Sequence, residues 1–600
     1  MTAIDRRAFL SRSAAAAGGL AIAGPLQALA AGGAGGREAN ARGYGPLREA
    51  RGGDLRLPEG FRYRVISRQG REMSDGNPTP GICDGMEAFP ASGGRTILLR
   101  NHENRFPFFP DSQNEIPVVV PERFRYDRSG VFRAGVTKLV VSPDRRVERD
   151  FAILGGTSTN CAGGQTPWGS WITCEEFDLP GADAVLPPGV RPLQGVDLAD
   201  VEPHGYIFEI DASAGGPVKA VPIKSAGRFY HEAVAWRSGR LYMTEDFDVL
   251  NPEEAVAFYR YTPDVRPRRV GDLARSGGKL EALRIRGRPD ADLRSGVPVG
   301  EPMPVQWVTI DDPDPPASPF ADRVHQQAFA KGAARFTREE GTAVDGPRIY
   351  FDCTNGGDAE LGQIWEYHTG REELTLVYES PSQKELDFPD NLTLAPTGDL
   401  FICENGTPPD FIRGLTPEGR IFNFAQAVTN LTEFAGACFS ADGKTLFVNQ
   451  NGDRDDQPGV TYAIWGPFAS RRRPDDGNGR PRDRRPRGDD RGGGGGSAGD
   501  AGNEGTGGGG VVTGGGEGTG TAGSGDLDPG AGADVSVALE DDGLPLTGLP
   551  LLTSAGAAAV LLATGAVLRR RLDNARARAN APEAGSPGAE SAGEAESSGE

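Results

Sequence analysis

The chain has 600 residues, a formal net charge of −20 and 87 glycines. That length exceeds what one hydrophobic core ordinarily supports, yet the glycines crowd toward the ends, and 471–532 holds almost no aromatic or branched apolar residue from which to build a second core. The acidic balance argues against a nucleic-acid partner, because no segment offers the excess of Lys and Arg that a phosphate backbone requires, and it suits cation binding.

The first element is an export signal. Asp5-Arg6-Arg7-Ala8-Phe9-Leu10 leads into the weakly apolar run Ser13 to Leu29, and the small-residue pattern Ala28-Leu29-Ala30 precedes Ala31. The arginine pair, the Phe-Leu after it and the low hydrophobicity mark 1–31 as a substrate of the twin-arginine translocase rather than an ordinary secretory leader. Such cargo crosses the membrane folded and often acquires metals beforehand, so an exported metalloprotein is expected.

From 54 to 468 the chain repeats itself. A short strand with a polar or acidic end recurs six times: Arg95 to Asn104, Trp168 to Phe177, Gly239 to Phe247, Pro347 to Gly357, Gly398 to Gly406 and Gly443 to Asp453. Ahead of each copy, polar residues lead into an apolar strand, at Asp84-Gly85, Cys161-Ala162, His231-Glu232, Glu339-Glu340, Asp390-Asn391 and Ala435-Gly436. Aromatic strands such as Gln363 to Tyr367 follow most copies. Several short strands per repeat, six times over, predict an all-β, six-bladed β-propeller. A β-sandwich would not explain why polar residues recur at one place in each repeat. The spacing is uneven, and only the last two intervals approach a bare blade of about 40 to 50 residues. The surplus is assigned to loop insertions, chiefly 262–336, a Pro-, Arg- and Asp-rich stretch with one helix expected around Phe320 to Ala334.

Beyond the body, 469–543 reads as a disordered Gly-rich linker with a reach on the order of 50 Å. Leu544-Pro545-Leu546-Thr547-Gly548, the apolar run Leu549 to Leu568 and Arg569-Arg570-Arg571 look like a sortase sorting signal over 544–571, or a plain transmembrane anchor. The polar tail 572–600 reads as disordered. Either reading tethers the body to the cell wall or membrane at the cell surface. Six cysteines, none in a C-x-x-C pair, point to neither a zinc ribbon nor a dithiol motif, and disulfides are not demanded.

In a propeller the first strands of all blades line one channel, so residues at their starts converge. The convergent set is Asp84, Cys161, Glu232, Glu339 or Glu340, and Asp390 with Asn391, supplemented by Glu175, Glu176, Glu245, Glu404 and Asn405 from second strands. Each taken singly is explained as a solvated strand end or turn cap. Together, such carboxylates either protonate or bind cations, and oxygen ligands favour calcium, magnesium, manganese or ferric iron. Cys161, set among glycines and carboxylates rather than in a core, points to a transition metal. Cys174, Cys353 and Cys403 read as core.

These residues carry a family resemblance. Asn160-Cys161-Ala162-Gly163-Gly164, Thr166-Pro167-Trp168-Gly169-Ser170-Trp171 and Thr173-Cys174-Glu175-Glu176 resemble the PhoX-type alkaline phosphatases. So do His231-Glu232-Ala233, Arg338-Glu339-Glu340-Gly341, Pro389-Asp390-Asn391 and Phe439-Ser440-Ala441-Asp442-Gly443, in the family's order. The resemblance implies a monomeric six-bladed propeller that hydrolyses phosphate monoesters with ferric iron (Fe3+) and calcium (Ca2+). It assigns metal binding to Cys161, Glu175, Glu232, Glu340 and Asp390 and phosphate contact to Arg338, with Cys161 and Glu340 in the catalytic centre, while the repeat itself adds Asp84 and Asn391 to the metal ligands. Glu339 stands where the family has proline, and Glu340 is taken as the ligand of the pair. A calcium-dependent propeller lactonase or phosphotriesterase is the rival enzyme reading, with Asp390-Asn391 and Glu340-Gly341 around a single ion and no role for Cys161. A surface propeller whose metals only rigidify a binding face is the non-enzymatic one.

Overall fold

Strands such as Ser170–Glu175, Leu400–Glu404 and Thr445–Gln450 are buried along their whole length. They lie in sheets covered on both faces, which is why they read as continuous apolar runs instead of alternating ones. The computed structural model describes residues 43–49, 53–105, 115–178, 201–247, 255–315, 323–452 and 457–468. The expected export signal, linker, sorting or membrane anchor and polar tail lie outside them. No helix among the described residues is long and apolar enough to cross a membrane.

The fold is all-β and propeller-like. Six antiparallel meanders follow in chain order: A from Cys83–Ala91 through Val147–Thr157, B from Asn160–Gln165 through Ile207–Asp211, C from His231–Arg237 through Gly278–Ile285, D from Glu339–Asp345 through Glu373–Glu379, E from Pro389–Leu394 through Ile421–Ala427, and F from Phe434–Phe439 through Val460–Trp465. The first strand of each packs against the first strand of the next, and that of F returns to that of A, closing a ring. The chain start completes two meanders: Arg62–Arg68 pairs with Val460–Trp465 as the outer strand of F, and Leu55–Arg56 pairs with Ile421–Ala427 of E.

Apolar packing is divided into wedges between neighbouring sheets. Tyr242 and Phe258 of C meet Phe351 and Trp365 of D, with the Phe258 and Phe351 rings stacked at 4.3 Å. Phe401 and Phe424 of E meet Phe434 and Tyr462 of F, capped by Tyr44, Phe61 and Phe468. All six cysteines are buried and unpaired in disulfides.

The long insertion is more than loop. Gly278–Ile285 is the outer strand of C, and Met303–Thr309 pairs with it and with Glu373–Glu379, fusing C and D into one nine-stranded sheet. The expected helix is present as Val324–Ala330. Alternation of Met303, Val305 and Trp307 was the available signal for the added strand, masked by the Pro- and Arg-rich residues around it.

Inner strands approach so closely that side chains are excluded at several positions. A Cβ on Gly164 would lie 1.9 Å from the backbone oxygen of Val234 on the neighbouring inner strand. Gly164→Ala is therefore expected to destabilise the protein by about 1–3 kcal/mol in denaturant unfolding, since neither backbone can yield.

Candidate active site and metal centre

Every inner strand has the same irregularity. Two of its residues face one residue of the second strand, between Cys83 and Met86, Asn160 and Gly163, His231 and Val234, Glu339 and Thr342, Pro389 and Leu392, and Ala435 and Cys438. An extra residue of this kind turns a side chain out of the pleat. The first of the two is Asp84, Cys161, Glu232, Glu340, Asp390 or Gly436. The second, Gly85, Ala162, Ala233, Gly341, Asn391 or Ala437, lines a channel cavity of about 670 Å³ that five of the first residues do not touch. Five candidate side chains thus gather at one mouth. The sixth position is Gly436, where a Cβ would lie 2.3 Å from the Asp84 carbonyl oxygen.

The backbone entering these strands is strained. Ile82, Thr159, Arg338 and Phe388, immediately before the strands of A, B, D and E, all have left-handed φ, from 38° to 54°. Bulky residues adopt that conformation at a cost, held here by the second strand. Glu103, Glu176, Thr354 and Asn405 donate their N–H groups to the carbonyls of these four residues.

Three triads follow from this geometry: Asp84, Glu103 and Cys161; Cys161, Glu176 and Glu232; and Glu232, Glu340 and Asp390, each offering ligand atoms within 4.8 Å of one another. Cys161 and Glu232 each belong to two of them. Cys161 Sγ lies 2.7 Å from Glu176 Oε2. Arg338 sits beside the third triad with its Nε and Nη2 on Asp246 Oδ2, at 3.1 and 2.8 Å, and Nη2 also 3.0 Å from Glu340 Oε1.

Two expected ligands are engaged by the protein itself. Glu175 is buried behind the mouth: its oxygens accept from His204 Nδ1 and from the N–H groups of Ser158, Gly205 and Tyr206. Burial alone would lower the His204 pKa, but Glu175 and Asp127 outweigh it and hold the imidazole up to about 9. Glu176 takes the place at the mouth. Asn391 is also occupied, its amide donating to Asp390 and its oxygen accepting from the Gly436 N–H, so it braces Asp390. Of the adjacent glutamates, Glu340 faces the mouth, while Glu339 pairs opposite Cys353 and accepts from the Glu245 N–H. Glu103 and Asp246 were not singled out from sequence. Each directly follows a strand-ending residue, His102 or Glu245, and the period-two alternation of a strand was the signal that neighbours cannot share a face.

The donor set fits a cation. Asp84 Oδ1 and Glu232 Oε2 are buried without any hydrogen-bond partner, a costly arrangement for a bare carboxylate. Burial first, and neighbouring carboxylates second, push the carboxyls of Asp84, Glu176, Glu232 and Glu340 well above their ordinary values, and burial holds Asp390 up to about 6. Burial, then Glu176 and Glu232, likewise push the Cys161 thiol up. A carboxyl raised in the folded state binds its proton more tightly there than in the unfolded chain. Stability of the metal-free protein is therefore greatest below the ordinary carboxyl values, where these groups are protonated in both states, and falls as pH rises from there through the folded values. Its melting temperature is expected to rise by several degrees between about pH 8 and about pH 5, and saturating divalent metal is expected to remove that trend, both measurable by calorimetry.

The model of the family described as alkaline phosphatase PhoX matches residues 42–452. A structure of Pseudomonas fluorescens PhoX in complex with vanadate, a transition state analogue, superposes with a TM-score of 0.51 at 19% identity, covering 70% of this chain and 97% of that one. Virginiamycin B lyase from Staphylococcus aureus gives a TM-score of 0.33 at 12% identity, covering 68% and 99%. A gluconolactonase from Xanthomonas campestris gives 0.31 at 11% identity, covering 67% and 98%. No curated protein sequence matches the chain.

Proposed function

The chain belongs to the PhoX family of alkaline phosphatases, and from that premise we propose that its six meanders are the blades of one propeller whose mouth hydrolyses phosphate monoesters with bound ferric iron and calcium. The observation that carries the metal reading is the set of three linked triads sharing Cys161 and Glu232. Cys161 with Glu176, Glu232, Asp84 and Glu103 would hold iron, because a thiolate favours a transition metal. The all-oxygen triad of Glu232, Glu340 and Asp390 suits calcium. When bound, the metals activate the attacking oxygen and polarise the phosphoryl group.

The protein's own groups do the rest. Bare carboxylates would repel a phosphate dianion, so the field at the mouth turns attractive only when cations are held there. Arg338 presents a planar fork to phosphoryl oxygens and counters charge that builds in the transition state. Asp246 and Glu340 hold that fork from one side, so little freedom is lost when substrate arrives. Asn391 and Asn405 keep Asp390 oriented through its two oxygens. A lactonase reading would leave Cys161 and Arg338 without a role.

The test is metal analysis of the purified protein together with hydrolysis of a phosphomonoester, a lactone and a phosphotriester. Iron with calcium and preferential monoester cleavage support the proposal; lactone cleavage by calcium-loaded, iron-free protein would sink it. We also place the enzyme, as a monomer, at the cell surface, exported by the twin-arginine route on the strength of Arg6-Arg7 and tethered through Leu544 to Arg571. Release from cells by wall digestion but not by detergent supports sortase attachment; release by detergent alone supports a membrane anchor.

A further inference from the structure

Behind the mouth, one position recurs with an unusual content. The last residue of the second strand in meanders B, C and E is a glutamate, Glu175, Glu245 or Glu404, each at most 1% exposed. Every one of them meets a buried nitrogen base or cation. His204 Nδ1 is 2.6 Å from Glu175 Oε1, His325 Nδ1 is 2.8 Å from Glu245 Oε1, and Arg413 Nε is 2.7 Å from Glu404 Oε1. The other oxygen is taken too: by the N–H groups of Gly205 and Tyr206 on Glu175, by the Tyr259 hydroxyl on Glu245, and by the Phe411 N–H on Glu404.

The three partners come from unrelated elements. His204 precedes the third strand of B, His325 lies on the helix Val324–Ala330 of the long insertion, and Arg413 lies on the third strand of E. The carboxylate position repeats, while the route to its partner differs each time. Apolar side chains would fill the same space without the desolvation that buried charges suffer.

In each case the next residue reaches the mouth. Glu176, Asp246 and Asn405 donate their N–H groups to the carbonyls of Thr159, Tyr230 and Phe388, at 3.0, 3.2 and 2.8 Å. Their side chains then meet Cys161, Arg338 and Asp390. We propose that Glu175–His204, Glu245–His325 and Glu404–Arg413 form a positioning tier that fixes Glu176, Asp246 and Asn405 on the mouth, and that the inserted helix serves this tier by delivering His325. The proposal rests on reading the mouth as a metal site.

The test uses the full chain with His204→Gln, His325→Gln and Arg413→Gln, and with Arg413→Lys as the conservative variant. Metal-free proteins are titrated with calcium by calorimetry, and melting temperatures are taken without metal. His325→Gln and Arg413→Gln are expected to bind calcium at least about tenfold more weakly than wild type, with Arg413→Lys close to wild type, and His204→Gln, whose Glu176 belongs to the thiolate-bearing group, to bind ferrous iron, titrated in the same way, at least about tenfold more weakly. Wild-type affinity in folded glutamine variants overturns the tier. If Arg413→Gln does not fold, Glu404→Leu combined with Arg413→Leu leaves neither charge unpaired; weak calcium binding in that protein supports the tier, and wild-type binding overturns it. A second readout needs no metal: in crystals of metal-free His204→Gln, Glu176 is expected to leave its 2.7 Å approach to Cys161, and an unmoved Glu176 overturns the proposal. Monoesterase activity of the wild type is read separately. A wild type that binds calcium tightly but cleaves no monoester fails the phosphatase reading, whereas the calcium affinities and the Glu176 position still decide the tier.

Discussion

Cys161→Ala is expected to lose iron and at least about a hundredfold in monoesterase activity while keeping its fold. The magnitude follows from where Cys161 stands. Loss of a residue that merely braces a metal ligand costs about 10- to 100-fold, and Cys161 offers its sulfur to two triads at once. The fold should survive because the side chain is small and belongs to none of the large apolar wedges between sheets. Metal content by mass spectrometry, activity and melting temperature check the three parts independently. Wild-type iron content in the variant would remove Cys161 from the site. Cys161→Ser keeps an oxygen donor in nearly the same place, and should retain calcium while losing iron.

Arg338→Ala is the second large effect, with kcat expected to fall by about 10²- to 10³-fold, the usual consequence of losing one donor aimed at developing charge. Removing the guanidinium also leaves Asp246 and Glu340 without their shared cation, so the alanine variant mixes two causes. Arg338→Lys separates them. Lysine keeps a positive charge near Asp246 but cannot span Asp246, Glu340 and a phosphoryl oxygen with one planar fork. It should hold metal as the wild type does and still lose most of kcat. Equal kcat in wild type and both variants would remove Arg338 from the phosphate site.

Much of the fold was legible because the repeat wrote itself into residue type: apolar second strands with polar ends, and polar residues leading into inner strands. Asp84, Cys161, Glu232, Glu340 and Asp390 were found at equivalent places in sequence, and the structure brings them together at one register break. What stayed hidden was set by geometry finer than the repeat. In Glu175-Glu176 both residues are acidic, and only strand alternation separates the one facing the mouth from the one locked on His204. The strained φ of Ile82, Thr159 and Phe388 leaves no mark in composition, because bulky residues occupy positions where glycine would have announced the turn. His204 and His325 form no motif in the sequence with their glutamate partners, which lie 29 and 80 positions away.

The closure of the last meander by Arg62–Arg68 bears on how the protein is made. During synthesis that strand emerges early, and its partner Val460–Trp465 emerges only after nearly the whole body has been translated. For that interval it is an open edge, the kind of backbone that recruits other chains. Its sequence, Arg62-Tyr63-Arg64-Val65-Ile66-Ser67-Arg68, places arginines at both ends and at the third position. These like charges repel a second copy of the same strand, giving the waiting segment its own protection against aggregation until the ring can close.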